Sequence, residues 1–150
     1  MTAADTRTTI DHATFTITFK RSFAASREDV FAAWTDAEQV AQWWDPTGAP
    51  LTACAIDLRP GGAFSFSNTG HSPPFAGVYQ LVERPSLLTF EAMGAVGAVR
   101  LADARGTTEM TVTIRCASKE HLEQFVKLGV AVNTDRTFDN LVAHMAKRAA

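Results

Sequence analysis

Residues Ala24–Pro46, AASREDVFAAWTDAEQVAQWWDP, place two helix starts and one helix stop in a single short stretch. Ser26 stands ahead of Glu28 and Asp29, as an N-cap hydroxyl stands ahead of an acidic first turn, and Val30, Phe31 and Trp34 then recur at helical spacing. Asp36, with Gln39 three residues on, frames a capping box for a second short helix, on which Val40, Trp43 and Trp44 fall at i, i+3 and i+4. Pro46 keeps that helix from continuing. Neighbouring side chains on a helix point about 100° apart, so one flat core contact does not absorb both Trp43 and Trp44. We therefore assign Trp34 to the core, expect one of the paired rings to pack against a sheet, and place Trp44 on the wall of an internal cavity. An indole suits that wall, because it brings about 150–250 Å² of surface and an N–H that needs a partner.

On the N-terminal side, Phe15, Ile17, Phe19, Arg21 and Phe23 alternate with Thr14, Thr16, Thr18 and Lys20, the period of a half-buried strand. Residues 1–13 ahead of it read as a flexible N-terminal segment, and 14–150 as a single domain. Past Pro46 the chain reads as a run of antiparallel strands separated by turn residues. Cys54, Ile56 and Leu58 alternate with Ala55, Asp57 and Arg59, and Pro60-Gly61-Gly62 leads into AFSFSN. The loop Asn68–Pro74 precedes FAGVYQLVER, which passes through Pro85-Ser86 into LLTFEAM. The last two strands, about Val96–Asp103 and Thr107–Cys116, flank Arg105-Gly106 as a hairpin, with Met110, Val112, Ile114 and Cys116 on one face. One apolar face throughout requires one cover. Leu122, Phe125 and Val126, then Phe138, Leu141, Val142 and Met145, fall at helical spacings and supply it, with a break or kink expected around Gly129 or Asn133-Thr134-Asp135. The fold class is α+β: a strand, two short helices, about six strands, and a long C-terminal helix packed on one antiparallel sheet.

Composition narrows the functions. A chain of 150 residues can bury roughly 70% of its unfolded surface as one domain. Apolar residues make up 46% and charged residues 20%, far from the signature of disorder. A net charge of −2 without a long basic run gives phosphate neutralisation no source, so no nucleic-acid partner is expected. The N-terminus lacks the pattern of a signal peptide and no 18 apolar residues run together, so no membrane span is expected and a cytoplasmic protein is the default. Cys54 and Cys116 have no C-x-x-C partner and read as two buried thiols. His12, His71, His121 and His144 are scattered without metal-ligand spacing, so neither metal nor cofactor is expected.

The motifs AASREDVFAAWTDAEQVAQWWDP, DLRPGG, Gly77-Val78-Tyr79, GTTEMTVT and TFDNLVAHM together resemble the activator of heat-shock-protein-90 ATPase homologue-like family, within the START-like, Bet v-like helix-grip superfamily. The resemblance extends from about residue 14 over nearly the whole chain. It implies a curved antiparallel sheet wrapped around the long C-terminal helix, with the two short helices between the first and second strands walling a hydrophobic cavity. The chain departs from the family pattern at Asn133-Thr134, where members often carry Gly or Gly-Trp in the helix that forms one cavity wall.

The cavity candidates are Trp44, Phe64, Phe66, Phe75, Tyr79, Phe90, Phe125 and Phe138, with Tyr79 and Arg59 as the polar groups that would orient a guest. Asp57 and Arg59 also read as a structural pair, and no nucleophile-base-acid set can be assigned. No catalytic residue is named; His71, in a loop, is the one conceivable general base. The leading expectation is a protein that holds a small hydrophobic or aromatic molecule. A cyclase- or aromatase-like enzyme acting in the same cavity is the alternative. A chaperone partner, which the resemblance names, is the second alternative and is not expected, since only about 13 residues precede the first strand; a homodimer is left open.

Overall fold

The computed structural model describes residues 8–68 and 74–149. Eight strands form one antiparallel sheet: β1 (Thr8–Asp11), β2 (Thr16–Phe23), β3 (Ala53–Ile56), β4 (Ala63–Ser67), β5 (Phe75–Glu83), β6 (Leu87–Ala92), β7 (Ala95–Ala104) and β8 (Thr107–Arg115). Their spatial order is β1-β2-β8-β7-β6-β5-β4-β3, so β2 crosses over to pair with β8 while the later strands pair in chain order. The crossover carries α1 (Arg27–Thr35) and α2 (Ala37–Trp43), and the chain ends in α3 (Lys119–Lys127) and α4 (Val130–Ala149).

Local chemistry explains the boundaries. The Ser26 hydroxyl accepts from the Asp29 backbone N–H, and the Asp36 carboxylate accepts from Glu38, so both helix starts expected from the sequence are capped. The Gln39 amide reaches the Asp36 carboxylate at 3.3 Å rather than the backbone N–H of a full capping box. Arg105 and Gly106 have φ of 58° and 88°, the pair of positive angles that a two-residue hairpin between right-twisted strands requires. Gly61 and Gly62 exchange backbone hydrogen bonds with Tyr79, tying the β3–β4 turn to β5. A bulge between Tyr79 and Leu81, where the Leu81 N–H turns to the Thr89 hydroxyl, bends β5 and adds to the curvature of the sheet.

Two expectations are corrected. Thr8–Asp11, placed in a flexible segment, forms β1 and pairs with β2 from Thr8↔Phe19 to Asp11↔Thr16, so the two short helices lie between the second and third strands. TTID has no buried alternation of its own, and its pairing is set by the open edge of β2. The break expected in the C-terminal segment falls at Gly129, where a φ of +82° makes a left-handed turn that L side chains resist; it separates α3 from the long helix α4, which contains Asn133–Asp135. Val126, read as part of the covering face, is exposed.

The core fills the space between the concave sheet face and the helices, with α4 against β2, α2 against α4, and α1 against β7 and β8. Ile17, Phe19, Arg21 and Phe23 all point into it from β2, as their alternation indicates. Among the described residues, no helix is long and apolar enough to cross a membrane.

Candidate functional site

The end of α2 is where the site begins. A helix leaves its last carbonyls without partners, and here α4 supplies them. The Thr137 hydroxyl donates to the Trp44 carbonyl at 3.0 Å, and the Asn140 amide donates to the Asp45 carbonyl at 2.9 Å. These bonds fix the direction in which the two indoles leave the chain. Trp43 turns inward, 1% exposed, and its indole N–H donates to the Ala33 carbonyl at 3.1 Å. Trp44 is half-buried, its ring 4.9 Å from Phe66 and 5.1 Å from Phe75, and its indole N–H has no hydrogen-bond partner among the described residues.

Trp44 faces a pocket of about 230 Å³. Trp34, Val112 and Phe138 form its inner end, all buried. Phe75, Phe90 and Ile114 line it from the sheet, and Phe125 from α3. Its rim is the elbow Leu128–Val130 between the two C-terminal helices, facing Met93 in the β6–β7 turn; Met93 and Leu128 are exposed. Small residues keep the space open: Ala92, Ala95 and Gly97 line it along β6 and β7. Gly97 sits opposite Phe90 in the ladder, and a Cβ there would lie 2.4 Å from the tip of the Phe90 ring. The missing side chain at Gly97 therefore makes room for the end of the Phe90 ring.

The polar side chains of the lining are Asn133, Thr134 and Thr137 on α4, and no described lining residue titrates. Tyr79 packs elsewhere, 3% exposed, and burial pushes its phenol well above the ordinary range, so it stays protonated. The thiols of Cys54 and Cys116 are free and also pushed up, by burial in both cases and by the charge of Asp36 in addition at Cys54. Neither is poised as a nucleophile. Among the described residues, no group of three His, Cys, Asp or Glu side chains could hold a metal ion.

Sequence comparison decides the family. The family model described as Activator of Hsp90 ATPase homolog 1-like protein matches residues 24–146. The chain belongs to that family. No functionally curated protein matches this family member. Its fold recurs in solved structures: a protein from Rhodobacter sphaeroides is 23% identical with a TM-score of 0.79, the match covering 88% of this chain and 92% of that one. An Arthrobacter aurescens protein is 19% identical with a TM-score of 0.84, covering 93% and 91%. A Mycobacterium smegmatis protein, Ms6760, is 22% identical with a TM-score of 0.79, covering 94% and 97%. At these identities the likeness shows the helix-grip fold alone.

Of the nine candidates named from the sequence of this Activator of Hsp90 ATPase homolog 1-like chain, the structure brings Trp44, Phe75, Phe90, Phe125 and Phe138 to the pocket. Phe64, Phe66 and Tyr79 lie instead in a ring cluster, with Phe64 5.0 Å from Tyr79 and 5.2 Å from Phe66, around a gap of about 10 Å³ that holds no guest. Arg59 is outside altogether: its side chain is 69% exposed, and its Nε meets both carboxylate oxygens of Asp57 at 2.9–3.0 Å. It falls on the outward phase of the alternation with Ala55 and Asp57, while Cys54, Ile56 and Leu58 pack on the core. His71 lies outside the described residues. Trp34, assigned to the core, is buried and also walls the pocket. The small residues and Thr137 were missed, and Asn133-Thr134 were marked as a departure on the cavity-wall helix but not named among the site residues; the inward-facing Ala and Gly of AMGAVGA were the available signal for the first.

Proposed function

We propose that the protein binds a small, largely apolar molecule in the pocket between the sheet, Trp44 and the α3–α4 elbow. The observation that carries the reading is a space of about 230 Å³ walled by aromatic and aliphatic side chains, with few polar groups among them. An engineered apolar cavity of about 150 Å³ takes up one benzene, so by proportion this one suits roughly nine or ten heavy atoms. A one- or two-ring compound fits; an intact two-chain lipid does not. Two free thiols are in keeping with a cytoplasmic protein.

A cyclase-like activity needs an acid or base inside the pocket, and the described lining supports binding rather than proton transfer. The test of binding is a thermal-shift panel of one- and two-ring compounds. A ligand at a hundred times its Kd stabilises the native state by about 2.7 kcal/mol, which raises the Tm of a chain this size by about 5–10 °C. A panel that leaves the Tm unmoved throughout overturns the reading.

A further inference from the structure

Resting on the pocket reading above, we propose that Asn133 and Thr134 make the pocket selective for neutral one- or two-ring compounds carrying a single hydroxyl or carbonyl group. The indole N–H of Trp44 aside, the polar side-chain groups of the lining lie on α4, while Trp34 on α1 and Val112 on β8 are buried and apolar toward it. Thr137 has its proton committed to the Trp44 carbonyl. The side chains of Asn133 and Thr134 have no hydrogen-bond partner among the described residues. Asn133 is exposed and Thr134 half-buried, so the amide stands at the mouth and the hydroxyl a step further in. A carboxamide and a hydroxyl each offer a donor and an acceptor, so they match a guest's hydroxyl or carbonyl equally well.

Charge is selected against by the same walls. No cationic side chain lines the pocket among the described residues, so a carboxylate drawn into it sheds hydration with no ion to replace the water. The guest these features favour has an apolar ring body facing Trp34 and Val112 and one neutral polar substituent toward Asn133 and Thr134.

Three probes of one skeleton separate the terms: naphthalene, 1-naphthol and 1-naphthoate, titrated near neutral pH by calorimetry or by quenching of indole fluorescence. In the wild-type chain 1-naphthoate is expected to bind most weakly. In the Asn133→Ala/Thr134→Val variant the affinity ratio of 1-naphthol to naphthalene is expected to fall by about fivefold to tenfold, the worth of one hydrogen bond, with naphthalene itself little changed. Should the double variant not fold, Asn133→Ala alone, at an exposed position, carries the same comparison. If naphthalene binds and the ratio does not move, or if 1-naphthoate binds as tightly as 1-naphthol, the selectivity is wrong while the pocket reading stands. If none of the three binds the wild-type chain, both are wrong.

Discussion

Trp43 and Trp44 are adjacent in sequence and opposite in role, and their removal is expected to separate the two. Trp43 is fully enclosed and satisfies its N–H on the Ala33 carbonyl, so Trp43→Ala leaves both a void and an unpaired acceptor. Its expected cost is about 4 kcal/mol, within the range of large-to-small changes in cores. Trp44 already borders open space, so Trp44→Ala enlarges an existing pocket and is expected to cost about 2 kcal/mol while weakening any guest. Urea unfolding with unchanged slope measures both; equal losses would contradict the division of roles. The sequence pattern told that two rings could not share one contact. Which ring turned inward was decided by partners far along the chain, Thr137 and Asn140, and no local spacing reveals those.

Between elements, α2 and α4 are joined by a buried polar contact: His144 Nε2 donates to the Gln39 side-chain carbonyl at 2.9 Å, and the Gln39 amide continues to Asp36. Burial holds the His144 pKa below its ordinary value, and the positive charges of Arg148 and Lys147 lower it further. The folded imidazole therefore takes up its proton at lower pH than the unfolded one. Well above about pH 6.5 both states are neutral at this site and its stability is complete; as pH falls through the unfolded value toward the folded pKa, the unfolded chain binds the proton first and stability declines. His144→Gln removes this titration, so the wild-type chain is expected to lose more stability than the variant between pH 7 and the folded pKa, measured by chemical unfolding at each pH. Parallel profiles would refute the assignment.

Most of the elements were legible because each carries its own period or cap, as Ser26, Asp36 and the alternation Ile17, Phe19, Arg21, Phe23 do. The strand at Thr8–Asp11 was not, since an exposed edge strand is specified by its neighbour.

Across the whole molecule, one buried cation ties the sheet to the helix it grips. Arg21, pointing inward from β2 with its side chain 4% exposed, pairs with Asp135 on α4 at 2.9 Å and approaches Asp139 at 3.5 Å. Its remaining contacts are backbone carbonyls of Lys20 and Asp135, and its Nε is buried without a partner. Asp135→Ala is expected to cost about 2 kcal/mol, less than the roughly 3–5 kcal/mol of breaking a fully enclosed pair, because Asp135 is itself 35% exposed and Asp139 remains. Thermal and urea unfolding read the loss, and an unchanged midpoint would show that the Arg21–Asp135 pair adds nothing to the hold on α4.

The pocket was the least legible feature at this scale. Aromatic side chains at inward positions told which face they share. Whether they close on one another, as Phe64, Phe66 and Tyr79 do, or border open space, as Phe90 and Phe125 do, is set by neighbours on other strands and helices, which no local spacing reveals.

The clustering of Trp34, Trp43 and Trp44, with ring centres 5.1–6.3 Å apart, has an optical consequence. Indoles at such separations pass excitation among themselves, so light absorbed by any of them reports on the whole trio. Trp34 and Trp44 are the members whose surroundings change when the neighbouring space is filled. The chain thus carries an intrinsic gauge of occupancy, readable as a shift in emission colour without attaching a dye.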